Sequence, residues 1–558
     1  MKSKTRKRII IFLIALLVVG AGSYIYLRYR KLHDLEPLLT AKLQKIVKEG
    51  TKGLYNLKLD KLNVDPFNSR ILLLNVKLVV DSSVLNEMIQ QQKAPNDIYN
   101  ISLKTLGIDG LSGWDILTKK EINLDVLFIK NPEIKIYHTI RNVDTIVKKD
   151  TATFYQHIAK ELGKVNIKKL VVDNVTFTYN NLTPPNKITV FQNVSMLFTD
   201  IQIDSTTQYD SSRFLYAKNA DISLHNYQVR TADSLYFLNI DSIAISASAR
   251  TMLFQKFAVV PRYKREEFEK KLSNIKDRYE LSIEKIQFKK IDWWNLATEN
   301  GFAADEVELS NGKFNDYCDR SLPEAPSKLG KYPQQSLMSL PFPFQIVQMK
   351  INNFDISYEE LNPNTQKSGT LYFKDVSGTI ENMTNMADVI KANQWMNAKA
   401  NCTFMNNTPI NADFKFNLAK AKEGVFIVDA TMGKINETVL NPITKPLALV
   451  EIDNADVKNL KAHVEGDNYK ASAEITFLYD NLKITALKKD EDAQSKTKKR
   501  KFLSFLANSL ILQKSNPSAN GKITTVNSFY QRDVHKSFFN LIFKVILKGI
   551  LDTMGISI

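Results

Sequence analysis

Side chains able to do acid–base, nucleophilic or metal chemistry are few in this sequence, and badly spaced for it. The six histidines, His33, His138, His157, His225, His463 and His535, include no pair at metal-ligand spacing, and no HExxH occurs. The text nearest a nucleophile elbow, GLSG at 110–113, lacks the GxSxG frame. There is no P-loop and no GxGxxG. Cys318 and Cys402 cannot make a disulfide framework or a zinc pair, and one bridge or two free thiols both remain open. Asp490-Glu491-Asp492 stands in a charged run and reads as solvated. No catalytic residue, metal ligand or cofactor is therefore assigned. A membrane-anchored enzyme, with carboxylates meeting only in three dimensions, is the remotest of three readings.

What the sequence does space regularly is apolar. Residues 165–179 read VNIKKLVVDNVTFTY and residues 344–358 read FQIVQMKINNFDISY. Val172, Val175, Phe177 and Tyr179 of the first match Ile351, Phe354, Ile356 and Tyr358 of the second, with Asn174 matching Asn353. The alternation steps by three at Asn and then resumes. A one-residue slip of parity is what a β-bulge or tight corner produces, and Asn tolerates the left-handed backbone such a site needs. Looser copies slip at Asn131, at Lys290 and, more weakly, at Asn454. Repeated bends would curl a sheet into a trough with its apolar side chains on the concave face; corners of stacked sandwiches would leave the same pattern.

The elements that carry these residues are mostly strands. Period-two alternation runs from Gly53 to about Lys489, enough for more than twenty strands, against helical patterns only near 142–163, 263–279 and 385–398. Helices are too few to cover a sheet, so the apolar face of each strand needs a second sheet, closure or an apolar ligand. About 25 strands in one trough would reach on the order of 100 Å.

Charge sits at the ends. Of the net +17, residues 1–52 carry +9 and residues 483–558 another +9, leaving the body near neutrality. This argues against a nucleic-acid groove and for contact with anionic membrane. The basic leader 1–8 precedes 9–27, which holds no charge and spans about 29 Å as a helix, one hydrocarbon thickness. A cleaved signal peptide ending near Gly20-Ala21-Gly22 is the alternative. The expected division is a transmembrane anchor at 9–27, an amphipathic linker helix over 28–52, β-rich regions at 53–260 and 281–488 joined by a charged helix at 261–280, a charged joint at 489–501, and amphipathic helices over 502–558. In the last, Lys536, Asn540, Lys544 and Lys548 form one polar line, and Lys544 and Lys548 are assigned to a membrane surface. A helix docked on the last strands is the alternative.

The anchor followed by YNLKLDKLNVDPFNSRILLLNVKLVVD, then LPFPFQIVQMKINNFDISYEE, GTLYFKDVSGTIENMTN and LNPITKPLALVEIDNADVKNLKAHVEGDNYKASAEITFLYDNLKITAL, resemble the AsmA-like proteins of bacterial envelopes, relatives of the TamB group and of the repeating β-groove lipid-transfer proteins. The resemblance covers most of 340–487 and, weakly, 53–260. It implies a single-pass inner-membrane protein with its body in the periplasm, and a role in envelope lipid homeostasis. The fold expected is mainly β, a long curved antiparallel sheet forming a groove. The partners expected are phospholipid acyl chains along Val172, Val175, Phe177, Tyr179, Ile351, Phe354, Ile356 and Tyr358, the inner membrane through 9–27, and an envelope protein; no nucleic acid is expected. The rival reading is an assembly factor or scaffold that binds protein strands at sheet edges.

Overall fold

A computed structural model of the chain describes residues 35–65, 68–111, 121–140, 155–156, 159, 163–183, 187–210, 212–297, 301–363, 365–405, 407–448, 450–486 and 513–555. The anchor at 9–27, the joint at 489–501, the apolar stretch 502–512 and most of the helical pattern near 142–163 lie outside them. Among the described residues no helix is long and apolar enough to cross a membrane. The protein is mainly β, with 58% strand against 15% helix. It divides into two units, residues 1–229 with 240–253, and residues 230–239 with 254–558.

The first unit contains β1 (Tyr55–Lys58), β2 (Lys61–Asp65), β3 (Arg70–Val80), β4 (Asp97–Asp109), β5 (Glu121–Lys130), β6 (Glu133–His138), β7 (Lys164–Asn181), β8 (Lys187–Ile203) and β9 (Ala217–Arg230). β1 and β2 pair with β3, and β3 with β4. β5 and β6 are one strand broken at Asn131-Pro132, since both lie between β4 and β7. Proline has no N–H to give the ladder there. The helix Leu35–Gly50 packs on β1 and β2, burying Leu43 and Val47 in a core with Leu57, Leu73, Ile108 and Ile122. A second helix, Ser82–Gln90, starts where the Asp81 carboxylate accepts from the Ser83 and Val84 amides.

Two strands, β10 (Tyr236–Ser246) and β11 (Thr251–Pro261), fall where the chain passes between units. The second unit continues with β12 (Arg278–Ile291), β13 (Phe302–Asp319), β14 (Phe344–Asn362), β15 (Lys367–Thr384), β16 (Trp395–Phe404), β17 (Thr408–Asn417), β18 (Phe426–Met432), β19 (Ile435–Asn436), β20 (Val450–Gly466), β21 (Lys470–Ala486) and β22 (Thr525–Gln531). From β14 to β18 each strand is antiparallel to the next. β20 then pairs with β18 and β19 on one edge and β21 on the other, and β21 with β22.

The pairing is not antiparallel throughout, which corrects the expectation. β13 and β14 are parallel, and so are β5 and β6 with β7. A parallel pair needs a long crossover. The proline-rich stretch 320–343 is that crossover in the second unit and carries the helix Pro333–Met338. The two other helical patterns shrink. Of 263–279 only Arg265–Glu269 is helical, and β12 has begun by Arg278. Its one fully buried side chain, Phe268, gives too little apolar surface to hold a longer helix. Of 385–398 only Ala387–Ala392 is helical, before β16 starts at Trp395.

Each unit contains the same run of pairings: antiparallel, then parallel, then antiparallel, from β4 to β8 and from β12 to β15. Their left-handed residues coincide too. Asn75, Gly110, Asn131, Asn174, Asn193 and Asp200 correspond in order to Lys256, Lys290, Asn311, Asn353, Asp375 and Asn382, each with positive φ and each about 180 residues from its counterpart. This is an internal repeat written in backbone conformation more than in side chains.

Candidate ligand-binding face

The parity slips are bulges. Asn174 has φ 55° and Asn353 has φ 59°, and the β7–β8 and β14–β15 registers shift beside them. The Asn174 Nδ2 donates to Asn131 Oδ1 at 2.7 Å, and Asn353 Nδ2 to Asn311 Oδ1 at 2.9 Å. The freed amide of Asn174 reaches Ser195 Oγ at 3.4 Å, and that of Asn353 reaches Ser377 Oγ at 3.1 Å. Each kink is thus tied to the kink of the strand before it and to a serine of the strand after it. Lys290 also has positive φ; Asn454 does not, and the left-handed residue in that hairpin is Asn481, across the ladder. Asn454 donates from Nδ2 to the Asn481 carbonyl instead.

The bulges keep apolar residues on one face, as the register shows. In β7, Leu170, Phe177 and Tyr179 pack against the same core, from either side of Asn174. In β14, Ile346 and Met349 stand opposite Met383 and Ile380, while Ile356 and Tyr358, beyond the kink, stand opposite Phe373 and Leu371; all four partners pack on one cluster. Val175 and Phe354, just after the asparagines, are buried at 3% and 8% exposure. Phe354 lies over Gly312, where a Cβ would overlap its ring. Val172, Phe177, Tyr179, Ile351, Ile356 and Tyr358 are half-buried. Val172 to Tyr179 belong to the first unit and Ile351 to Tyr358 to the second.

The opposite face of β12–β14 is charged. Glu306 lies between Lys289 Nζ at 2.6 Å and Lys350 Nζ at 2.8 Å, and Lys289 also reaches Glu308. Hydrogen bonds from the two lysines hold the Glu306 carboxyl down at about 2. On the apolar side four half-buried rings run across successive strands: Phe254, Phe288, Phe302 and Phe344, with centroids 5.6–5.9 Å apart.

This face ends in polar groups that sequence reading did not find. Tyr358, assigned to an apolar wall, shares its hydroxyl with Glu360 and accepts from Arg320 Nη2 at 3.0 Å. Burial raises its pKa. Beside it on β13 stand Asp316 and the fully buried Cys318. Asp316 Oδ1 is buried without a hydrogen-bond partner. Burial, then the charge of Asp277, push its carboxyl up to about 7 against the pull of Lys328 and Arg320. Only the β13–β14 register, invisible in sequence, brings these groups together.

On the charged face further along, a hollow of about 640 Å³ is lined by Lys399, Asp413, Asp429, Lys461, His463 and Glu474 among others. Asp413 faces Asp429 directly, and Asp429 Oδ1 lies 2.6 Å from His463 Nδ1. That contact raises the His463 pKa. The hollow on this face is therefore polar.

The C-terminal helix Phe538–Thr553 is docked on β21 and β22. Gly549 lets it approach Ile475 so closely that a Cβ would lie 2.4 Å from that side chain, and Ser528 Oγ donates to the Val545 carbonyl at 2.9 Å. Lys548 bonds Asp552 at 3.1 Å, one turn on, while Lys544 has no recorded ion pair among the described residues. No family model matches the chain, and no curated protein matches it.

Proposed function

We propose that the protein is a membrane-anchored, AsmA-like lipid-binding protein that holds acyl chains against the apolar faces of its kinked strands, β7–β8 in one unit and β14–β15 in the other. The observation that carries this reading is the half-burial of an apolar row in the second unit, on either side of the buried Phe354. Met349, Ile351, Ile356, Phe373 and Ile380 lie on a sheet whose other face is closed by ion pairs. A sandwich core would take such side chains to full burial, and contiguous apolar surface left accessible marks a binding surface. The anchor at 9–27, the inner-membrane location and the periplasmic setting belong to the same proposal and rest on the sequence. The chemistry needed is non-covalent: apolar contact along the chains, with polar groups such as Arg320 and Tyr358 at the end of the row.

A photo-crosslinking amino acid at position 351 of the full-length protein, expressed in membranes, should yield lipid adducts detectable by mass spectrometry. The same group at Lys350, on the charged face, should not. Equal yields at both positions, or none at 351, would reject the reading; protein adducts at 351 would favour a scaffold.

A further inference from the structure

The C-terminal helix carries three stripes where a docked amphipathic helix needs two. Phe538, Leu541, Ile542, Val545, Gly549 and Thr553 are buried against the sheet. Asn540, Lys544 and Lys548 form the polar line. Between them lies a third row, Phe539, Phe543, Ile546 and Ile550, spaced four, three and four apart on one side of the helix. Docking leaves only its first half uncovered: Phe539 is 65% exposed and Phe543 52%, while Ile546 and Ile550 are half-buried against the core of the second unit. Phe539 touches Phe414 and Phe538 only edge-on.

We propose that this outward row lies in an anionic lipid surface, with Lys544 beside it at the headgroups. The inference is separate from acyl-chain binding by the sheet. Two arguments select lipid over a second copy of the chain. The row is one helix wide, and two phenylalanines and two half-covered isoleucines offer a few hundred Å² at most, short of the roughly 800 Å² per partner of a stable protein interface. An interfacial helix requires only such a stripe with cations next to it. The charge is complementary as well: Lys548 is paired with Asp552, while Lys544, next in the chain to the exposed Phe543, has no carboxylate partner among the described residues.

The test uses full-length protein on phosphatidylcholine–phosphatidylglycerol vesicles with brominated acyl chains, because a local probe is insensitive to whatever else holds the chain on the membrane. In Phe543→Trp the added indole should be quenched beyond the background of the four native tryptophans. Lys544→Glu in that background should cut the excess quenching at saturating lipid by about half or more, and added salt should act in the same direction. Thermal midpoints of both variants should match the parent, since the substituted side chains face outward. Quenching no greater than background, or unaffected by Lys544→Glu and by replacing phosphatidylglycerol with phosphatidylcholine, would overturn the proposal. So would concentration-dependent dimerisation abolished by Phe543→Ser. Crosslinking at position 351 in the same samples reports the sheet face independently, so the two proposals fail separately.

Discussion

Asn353 and Asn174 show what one backbone torsion does for a strand. Each adopts a left-handed conformation that glycine and asparagine tolerate and a β-branched residue does not. Asn353→Val should therefore cost about 1–3 kcal/mol in strain, plus the bond to Asn311. Asn353→Gly should lose the bond alone and cost about 1 kcal/mol. Denaturant midpoints of the two variants check the order; a valine no worse than glycine would deny the kink its energetic role. Asp316 makes a prediction in pH. Its folded value, about 7, lies above the ordinary 3.8, so its favourable contribution is fully present below about pH 4 and is lost as pH rises to about 7. Asp316→Asn should remove that decline, leaving the variant more stable than the parent at neutral pH by an amount of order 1–3 kcal/mol. Parallel stability curves for the two proteins between pH 4 and 8 would contradict it.

At the scale of elements, the kinked strand and the docked helix solve the same problem of keeping apolar residues on one side. A straight strand would turn Ile351 and Phe354 to opposite faces; the bulge at Asn353 returns them to one. The C-terminal helix depends on a close approach at Gly549. Gly549→Ala should push it from Ile475 and cost about 1–3 kcal/mol by overpacking. Hydrogen exchange should then accelerate in 538–553 and in β22 while β3 and β4 are unchanged. Unaltered exchange in the helix would mean that it does not rely on this contact.

At the scale of the whole chain, each unit has its own buried cluster, one around Leu73, Ile108 and Ile122, the other around Phe426, Val464 and Ile475. Two cores of this kind should give two calorimetric transitions. Gly549→Ala should lower only the one belonging to the second unit. A single transition that moves as a whole would show the units to be coupled. Each unit carries its own set of kinks and its own apolar row, and in the second unit the opposite face holds the polar hollow at Asp429 and His463.

What the sequence determined by itself is the local part. Alternation specifies strands, because side chains on a pleated backbone face two ways. A step of three at Asn131, Asn174, Lys290 and Asn353 specifies bulges, because parity is a property of consecutive residues. The helix at 35–50 was legible for the same reason, in its periodicity. Only the tertiary structure decided the strand partners. Nothing within 302–319 or 344–362 says that the two run parallel; that depends on how the crossover 320–343 returns the chain. The register then places Tyr358 beside Asp316 and turns an expected apolar wall residue into part of a polar cluster. It was likewise docking, not periodicity, that buried most of the apolar residues of 538–553 and left Phe539 and Phe543 exposed, because burial depends on the shape of the partner surface.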